Sequence, residues 1–215
     1  MLTGRRIVRP VTESRTQATR KIILMTSVSL DGFSEGPDRD IGWHLVDDEL
    51  HHHFNEELST MGGFLTGRVT HELMADFWPT ADADPANAGP VADYARIWRD
   101  MPKTVFSRTL ETTDWNTTVL REVDPEQIRA ITAQPGGDLA LGGADLAAAF
   151  RQHDLIDEYR IYVHPVLIGH GKPLFQASDT RTGLRLAGTR TFGNGVVLLH
   201  HRRADPAPPE TPPGH

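Results

Sequence analysis

The sequence predicts an α/β protein of three layers: a mixed, mainly parallel central sheet between helices, ending in an antiparallel C-terminal hairpin. Three observations carry this prediction. Short apolar, β-prone runs alternate with stretches of helical period over most of the 215 residues. Near the end, Gly193-Asn194-Gly195 separates two further β-prone runs, a strong hairpin signal. Finally, three strand candidates run into a polar or glycine turn that opens a helix-like segment. They are Gly62–Thr66 into Gly67-Arg68-Val69-Thr70, Lys103–Phe106 into Ser107-Arg108-Thr109, and Leu139–Leu141 into Gly142-Gly143-Ala144-Asp145-Leu146. In open α/β sheets, ligands bind at such strand ends.

The elements follow in order. Lys21–Leu30 is apolar and β-prone and meets the turn Asp31-Gly32, so it reads as a buried first strand. Asp47 or Asp48 caps a helix in which Leu50, Phe54 and Leu58 recur every four residues on one face. A short helix is expected over Val69–Phe77. Pro79–Pro90 has no hydrophobic period and reads as a loop and candidate lid. Val91–Met101 is the next helix, anchored by Tyr94, Ile97 and Trp98. Thr117–Leu120 is a short strand candidate, and Asp124-Pro125-Glu126 opens a helix, since proline is well tolerated in a first turn. Ala144–His153 is expected helical, Asp157–Ile168 a long strand, and Leu184–Thr191 with Val196–His201 the closing hairpin.

Composition bounds the function. Acidic residues outnumber basic ones, 29 to 22, which argues against a nucleic-acid surface. No apolar run is long enough to span a bilayer, so no membrane partner is expected. The chain has no cysteine, which excludes disulfides, thiolate metal ligands and a cysteine nucleophile, and fits a cytoplasmic setting. Residues 1–20 carry Arg5, Arg6, Arg9, Arg15 and Arg20 against one acid, Glu13, and read as a flexible basic arm. Residues 204–215 hold five prolines and read as a disordered tail. One domain, 21–203, remains.

The strand-end turns point to phosphate. A helix start exposes unpaired backbone N–H groups, and glycine lets backbone approach a ligand closely. Arg68 and Arg108 stand at two of the three turns, and arginine's planar donor fork suits a phosphate ester. Three such turns in one domain suggest a dinucleotide held across several strand ends. His51-His52-His53 is a poor metal signature, because adjacent helical residues point in different directions; it reads as a solvated helix face, and no metal site is expected.

Taken together, these residues resemble the dihydrofolate reductase fold, most closely the branch of the riboflavin-pathway reductase domain. The resemblance rests on Ser29-Leu30-Asp31-Gly32-Phe33, Gly67-Arg68-Val69-Thr70-His71-Glu72, Phe77-Trp78-Pro79, Ser107-Arg108-Thr109 and Leu141-Gly142-Gly143-Ala144. It also rests on Asp157–Pro165 running into Gly169-His170-Gly171-Lys172-Pro173-Leu174-Phe175. What it implies is a dihydrofolate reductase-like α/β/α fold, NADPH as cofactor and a homodimer. By resemblance, Gly67, Arg68, Val69 and Thr70 hold the pyrophosphate and ribose phosphate, and Ser107 and Arg108 flank the adenosine. Gly142, Gly143, Ala144, Asp145 and Leu146 let the backbone close on the pyrophosphate. The nicotinamide lies near Thr26 and Ser27.

The resemblance also implies an acceptor pocket. Tyr162 falls where the matching strand lends a side chain to the substrate and is the first polar catalytic candidate; a buried tyrosine with a satisfied hydroxyl is the alternative. Asp31 enters the active-site loop, though Asp-Gly turn chemistry accounts for it too. Trp43 and Phe54 offer an aromatic wall for a flat substrate. Two positions depart from the family. The helix carboxylate that grips a pterin, four residues before a phenylalanine, is Leu50 here, and the lysine after Asp-Gly in the riboflavin-pathway enzymes is Phe33. The zinc-binding cysteines of a deaminase partner do not occur in this chain. The expected function is therefore an NADPH-dependent reductase of a small flat heterocycle or similar C=N or C=C substrate. A catalytically silent dinucleotide-binding or interaction protein is the alternative.

Overall fold

The structure, a computed structural model, describes residues 19–179 and 181–204. The expected arm and tail fall almost wholly outside them. At the junctions the Arg20 N–H donates to the Thr132 carbonyl (2.9 Å) and the Ala204 N–H to that of Gly183 (2.9 Å), so both residues are tied to the domain. In chain order the elements are β1 (Ile22–Ser29), β2 (Phe33–Glu35), α1 (Asp48–Ser59), β3 (Gly63–Gly67), α2 (Arg68–Phe77), α3 (Pro90–Asp100), β4 (Lys103–Phe106) and β5 (Thr117–Leu120). They continue with α4 (Pro125–Thr132), β6 (Leu139–Gly142), α5 (Ala144–Gln152), β7 (Glu158–His164), β8 (Lys172–Pro173), β9 (Leu184–Thr191) and β10 (Val197–Arg203).

Eight strands form one sheet in the order β5-β4-β3-β6-β1-β7-β10-β9. The first six are parallel to one another, and β10 pairs antiparallel with both β7 and β9. β1 lies at the centre and is apolar on both faces, as a covered parallel strand must be. Ile22 and Leu24 enter a core with Ile128, Leu141 and Phe150 under α4 and α5, while Ile23 packs on the opposite face with Leu58 and Met101 under α1 and α3. Truncating a side chain as buried as Phe150 costs about 3–5 kcal/mol.

Local chemistry sets the boundaries. Asp47 caps α1, its carboxylate accepting the Leu50 N–H (3.0 Å), and Asp124 caps α4 through the Glu126 N–H (2.9 Å). β7 is shorter than expected: Pro165 has no N–H to give the ladder, and the Val166 N–H turns back to the His164 carbonyl (2.8 Å). The hairpin turns where expected, with Gly195 at φ 86° and the Phe192 N–H bonded to the Val196 carbonyl (2.9 Å).

Residues 79–90 are not a free loop. They form two short 3-10 helices, Trp78–Ala83 and Pro85–Asn87, and Arg99 of α3 pins the first. Its guanidinium forks the Asp82 carboxylate (2.7 Å at each oxygen) and reaches the Pro79 carbonyl (3.0 Å). β2 and β8, a small separate sheet, carry no alternation long enough to read in the sequence.

Candidate active site

β6 inserts between β3 and β1, so the helices after β3 and β6 start side by side above neighbouring strand ends. There the structure opens into one cavity of about 1150 Å³. α1 and α4 have aspartate caps, whereas α2 and α5 start on Gly67 and Gly143 with no side-chain cap among the described residues. Their N-terminal N–H groups are the unpaired donors of a helix start, and both ends line the cavity. Thr66, at the end of β3 and in register with Gly142, adds a buried hydroxyl with no partner among the described residues. A Cβ at Gly67 would meet nothing within 4 Å, so the space above that glycine belongs to the cavity. Gly143 is required for a different reason: its φ is 93°, and a Cβ would lie 2.9 Å from Thr70 Oγ1.

Two of the three sequence-predicted turns therefore converge. Gly67, Arg68, Val69, Thr70, Gly142, Gly143, Ala144, Asp145 and Leu146 all line the cavity. Arg68 also forks Glu72 one turn along α2 (2.9 and 2.7 Å), an exposed pair of small energetic weight. Asp145 accepts from Lys172 Nζ (2.8 Å) and Gln176 Nε2 (3.0 Å); Lys172 also meets Glu35 (3.1 Å), and these contacts raise its pKa against the opposing effect of burial. The third turn stays outside. Ser107 Oγ accepts the Thr109 and Leu110 N–H groups (3.2 and 2.9 Å), closing the turn on itself. The Arg108 carbonyl accepts from Arg121, and the Arg108 side chain is exposed. β4 itself reaches the cavity with Lys103 and Phe106, but the turn that follows it does not.

The other half of the cavity lies where the end of β1 meets α1. Thr26 and Ser27 line it. Behind Ser27, the fully buried His164 accepts the Leu45 N–H at Nδ1 (3.0 Å), so its proton is on Nε2 and is donated to Ser27 Oγ (3.0 Å). Ser27 keeps its own hydroxyl proton for another acceptor. Burial, with a smaller contribution from His44, lowers the His164 pKa to about 4. His44 stacks on His164 (centroids 5.2 Å apart, planes at 21°), and its buried Nε2, on the cavity wall, has no partner among the described residues. Burial also lowers its pKa, against an opposing pull from Asp40.

Facing them, α1 presents His51 and Phe54 to the cavity, three residues apart on one helix face. The His51 ring lies 5.9 Å from Trp78 and 5.8 Å from Tyr94, which are 4.2 Å from one another. His44, His51, Trp78 and Tyr94 had not been singled out as site residues. Their cue is i, i+3 spacing from Phe54 for His51, but the others depend on contacts across the chain.

Several expectations need correction here. Tyr162 is not at the cavity wall: it is fully buried, its ring 4.6 Å from Phe54 and its hydroxyl 3.1 Å from His53 Nε2. Desolvation raises its pKa. Asp31 anchors a loop, its carboxylate accepting Ser29 Oγ–H (2.6 Å) and the Gly169 and Ile168 N–H groups (2.7 and 3.3 Å). The Ser29 bond leads in holding its pKa low. Trp43 packs edge-on against His44 and His164 and donates to the Asp40 carbonyl (3.1 Å), one layer behind the cavity. The three histidines are not one solvated face: His51 lines the cavity, His52 is exposed, and His53 is buried between Tyr162 and Arg190. Among the described residues no group of three or more His, Asp or Glu side chains is disposed to hold a metal, and no helix is long and apolar enough to cross a membrane. Leu50 is fully buried with Tyr162, Phe192, Val196 and Leu198, while Glu49 faces away and accepts the Gly193 N–H (2.9 Å).

A three-layer sheet with its cavity at these strand ends defines a dihydrofolate reductase-like protein. Dihydrofolate reductase from Enterococcus faecalis, complexed with NADP(H) and RAB-propyl, superposes with a TM-score of 0.58 at 13% identity over 86% of this chain and 97% of that chain. The deaminase/5-amino-6-(5-phosphoribosylamino)uracil reductase of Thermotoga maritima gives 0.61 at 16% identity, over 86% of this chain and 57% of that one. The chain belongs to the RibD C-terminal domain family, whose model matches residues 20–198. Within it, the uncharacterized protein YyaP of Bacillus subtilis (strain 168) is 34% identical over 184 residues, 85% of this chain and 95% of that protein.

Proposed function

We propose that this protein is an NADPH-dependent reductase that delivers a hydride to a small flat heterocycle or a similar C=N or C=C substrate. One observation carries the reading: two uncapped helix N-termini and the unpartnered Thr66 hydroxyl line a single cavity whose glycine floor leaves open space above Gly67. These donors fit a pyrophosphate. The family's reductase character and a fold neighbour complexed with NADP(H) support the same reading.

When bound, the nicotinamide cofactor supplies the hydride. The chain's own residues supply the rest. Gly67, Thr70, Gly142 and Gly143 bind the pyrophosphate, and Arg68, exchanging Glu72 for a stronger anion, selects the phosphorylated adenosine ribose. Thr26 and Ser27 orient the nicotinamide against β1. Ser27 O–H, held as a donor by His164, and His44 Nε2 are the polar atoms that meet the acceptor. The apolar rings of Phe54, Trp78 and Tyr94 keep water from it.

A silent dinucleotide-binding protein is the second reading, favoured by Leu50, buried where the resembling enzymes carry a carboxylate. Titration with NADPH, followed by tryptophan quenching, tests the cofactor; no quenching contradicts both readings. Oxidation of NADPH across a panel of flat heterocycles then separates them, and a saturable, acceptor-dependent rate selects the reductase.

A further inference from the structure

The chemistry of the acceptor half narrows what can enter it. The cations lining the cavity are Arg39, Arg68, Lys103 and Lys172. Arg68 and Lys172 belong to the phosphate floor and are paired there with Glu72, Asp145 and Glu35. Lys103 is spent on two carbonyls, of Met101 (2.8 Å) and Trp115 (2.9 Å), and lies over the Trp98 ring. Arg39 is exposed, in the turn that follows β2. Around the rings of His51, Phe54, Trp78 and Tyr94 the charged side chains that act on His51 are two acids, Asp48 and Asp93, which would repel a phosphate. On α1 the residues that reach the cavity are His51, Phe54 and Leu58, none of them a carboxylate. Histidine at 51 does not restore a charge, since burial leads in lowering its pKa.

A phosphate entering such a chamber would lose its hydration without a cationic partner, a cost that excludes it. A neutral aromatic plane loses little water there and gains ring contacts. Its polar edge finds a donor in Ser27 O–H and an unpartnered nitrogen in His44. We propose that the hydride acceptor is a phosphate-free planar heterocycle, received between His51, Phe54, Trp78 and Tyr94 with its polar edge against Ser27 and His44. This inference rests on the reductase reading for the word acceptor, and on the chamber alone for the chemistry.

Lumichrome, riboflavin and FMN test it: riboflavin and FMN differ only in the phosphate, lumichrome is the tricyclic ring system without the chain, and riboflavin should share lumichrome's advantage over FMN. Each is titrated into the full-length protein at neutral pH, with and without NADP⁺, and followed by its own fluorescence. Lumichrome should bind at least about tenfold tighter than FMN. Trp78→Ala and, separately, the gentler His51→Ala should each weaken lumichrome about tenfold with NADP⁺ affinity retained, which also reports an intact fold. FMN binding as tightly as lumichrome would overturn the proposal and point to Arg39. Lumichrome indifferent to both substitutions would overturn it as well. Lumichrome bound in the chamber by a protein that ignores NADP⁺ supports the chamber and fails the cofactor reading instead.

Discussion

The two halves of the cavity are built from opposite materials. Over β3 and β6 the wall is largely backbone: uncapped helix starts, two glycines and one threonine hydroxyl. Between β1 and α1 it is side chains, chiefly aromatic rings and neutral histidines. A backbone site binds whatever accepts hydrogen bonds from N–H groups, a phosphate among them. A side-chain site changes with each substitution. The comparison teaches that the first half is constrained by geometry and the second by the identity of its ligand.

The sharpest way to break this contrast is Leu50→Asp. Position 50 packs with Tyr162, Phe192, Val196 and Leu198 behind the chamber wall, so the buried charge and the lost packing should cost about 3–5 kcal/mol in urea unfolding. A cost below about 1 kcal/mol would mean that position 50 opens toward the cavity instead of packing behind it. Next, Gly143→Ala should cost about 1–3 kcal/mol, because its φ of 93° and the contact with Thr70 Oγ1 penalise any side chain.

The acceptor half should announce itself by pH. The folded pKa of His164 is about 4 against an ordinary value near 6.5, so the native state binds fewer protons than the unfolded chain between those limits. Stability should fall as pH drops through that window, at up to about 1.4 kcal/mol per unit from this group. His44, His51, His53 and His71 are shifted the same way and will add to the slope. His164→Gln should flatten the profile measured by chemical denaturation, and an unchanged slope would contradict the neutral buried assignment. The smallest effect separates the arginines. Arg68→Ala should weaken NADP⁺ about tenfold more than NAD⁺, whereas Arg108→Ala should change neither, as its turn lies outside the cavity.

What the sequence disclosed follows the same division. Strand order of the closing hairpin, the aspartate caps and the glycine-rich turns are local, and each is readable from a few adjacent residues. Gly67 and Gly143 were identifiable because their chemistry is their backbone. Tyr162 was not, since whether a tyrosine on β7 faces a ligand or a packed helix is decided by α1, more than a hundred residues earlier in the chain. His44 shows the same limit. Its stacking on His164 joins a loop to the end of β7, far apart in sequence, and no spacing encodes it. Ser107 misled for a related reason: its turn has the right residues, but its hydroxyl closes that turn on the Thr109 and Leu110 N–H groups instead of facing the cavity.

The central claim is that the open space over Gly67 is where a dinucleotide phosphate lies, and Gly67→Ala tests it most directly. A Cβ there touches nothing in the protein, so stability should stay within about 1 kcal/mol of the parent. Calorimetric titration should show NADP⁺ binding to the parent and its loss, by about tenfold or more, in the variant. A parent protein that does not bind NADP⁺, or a stable variant that binds it equally well, would contradict the account.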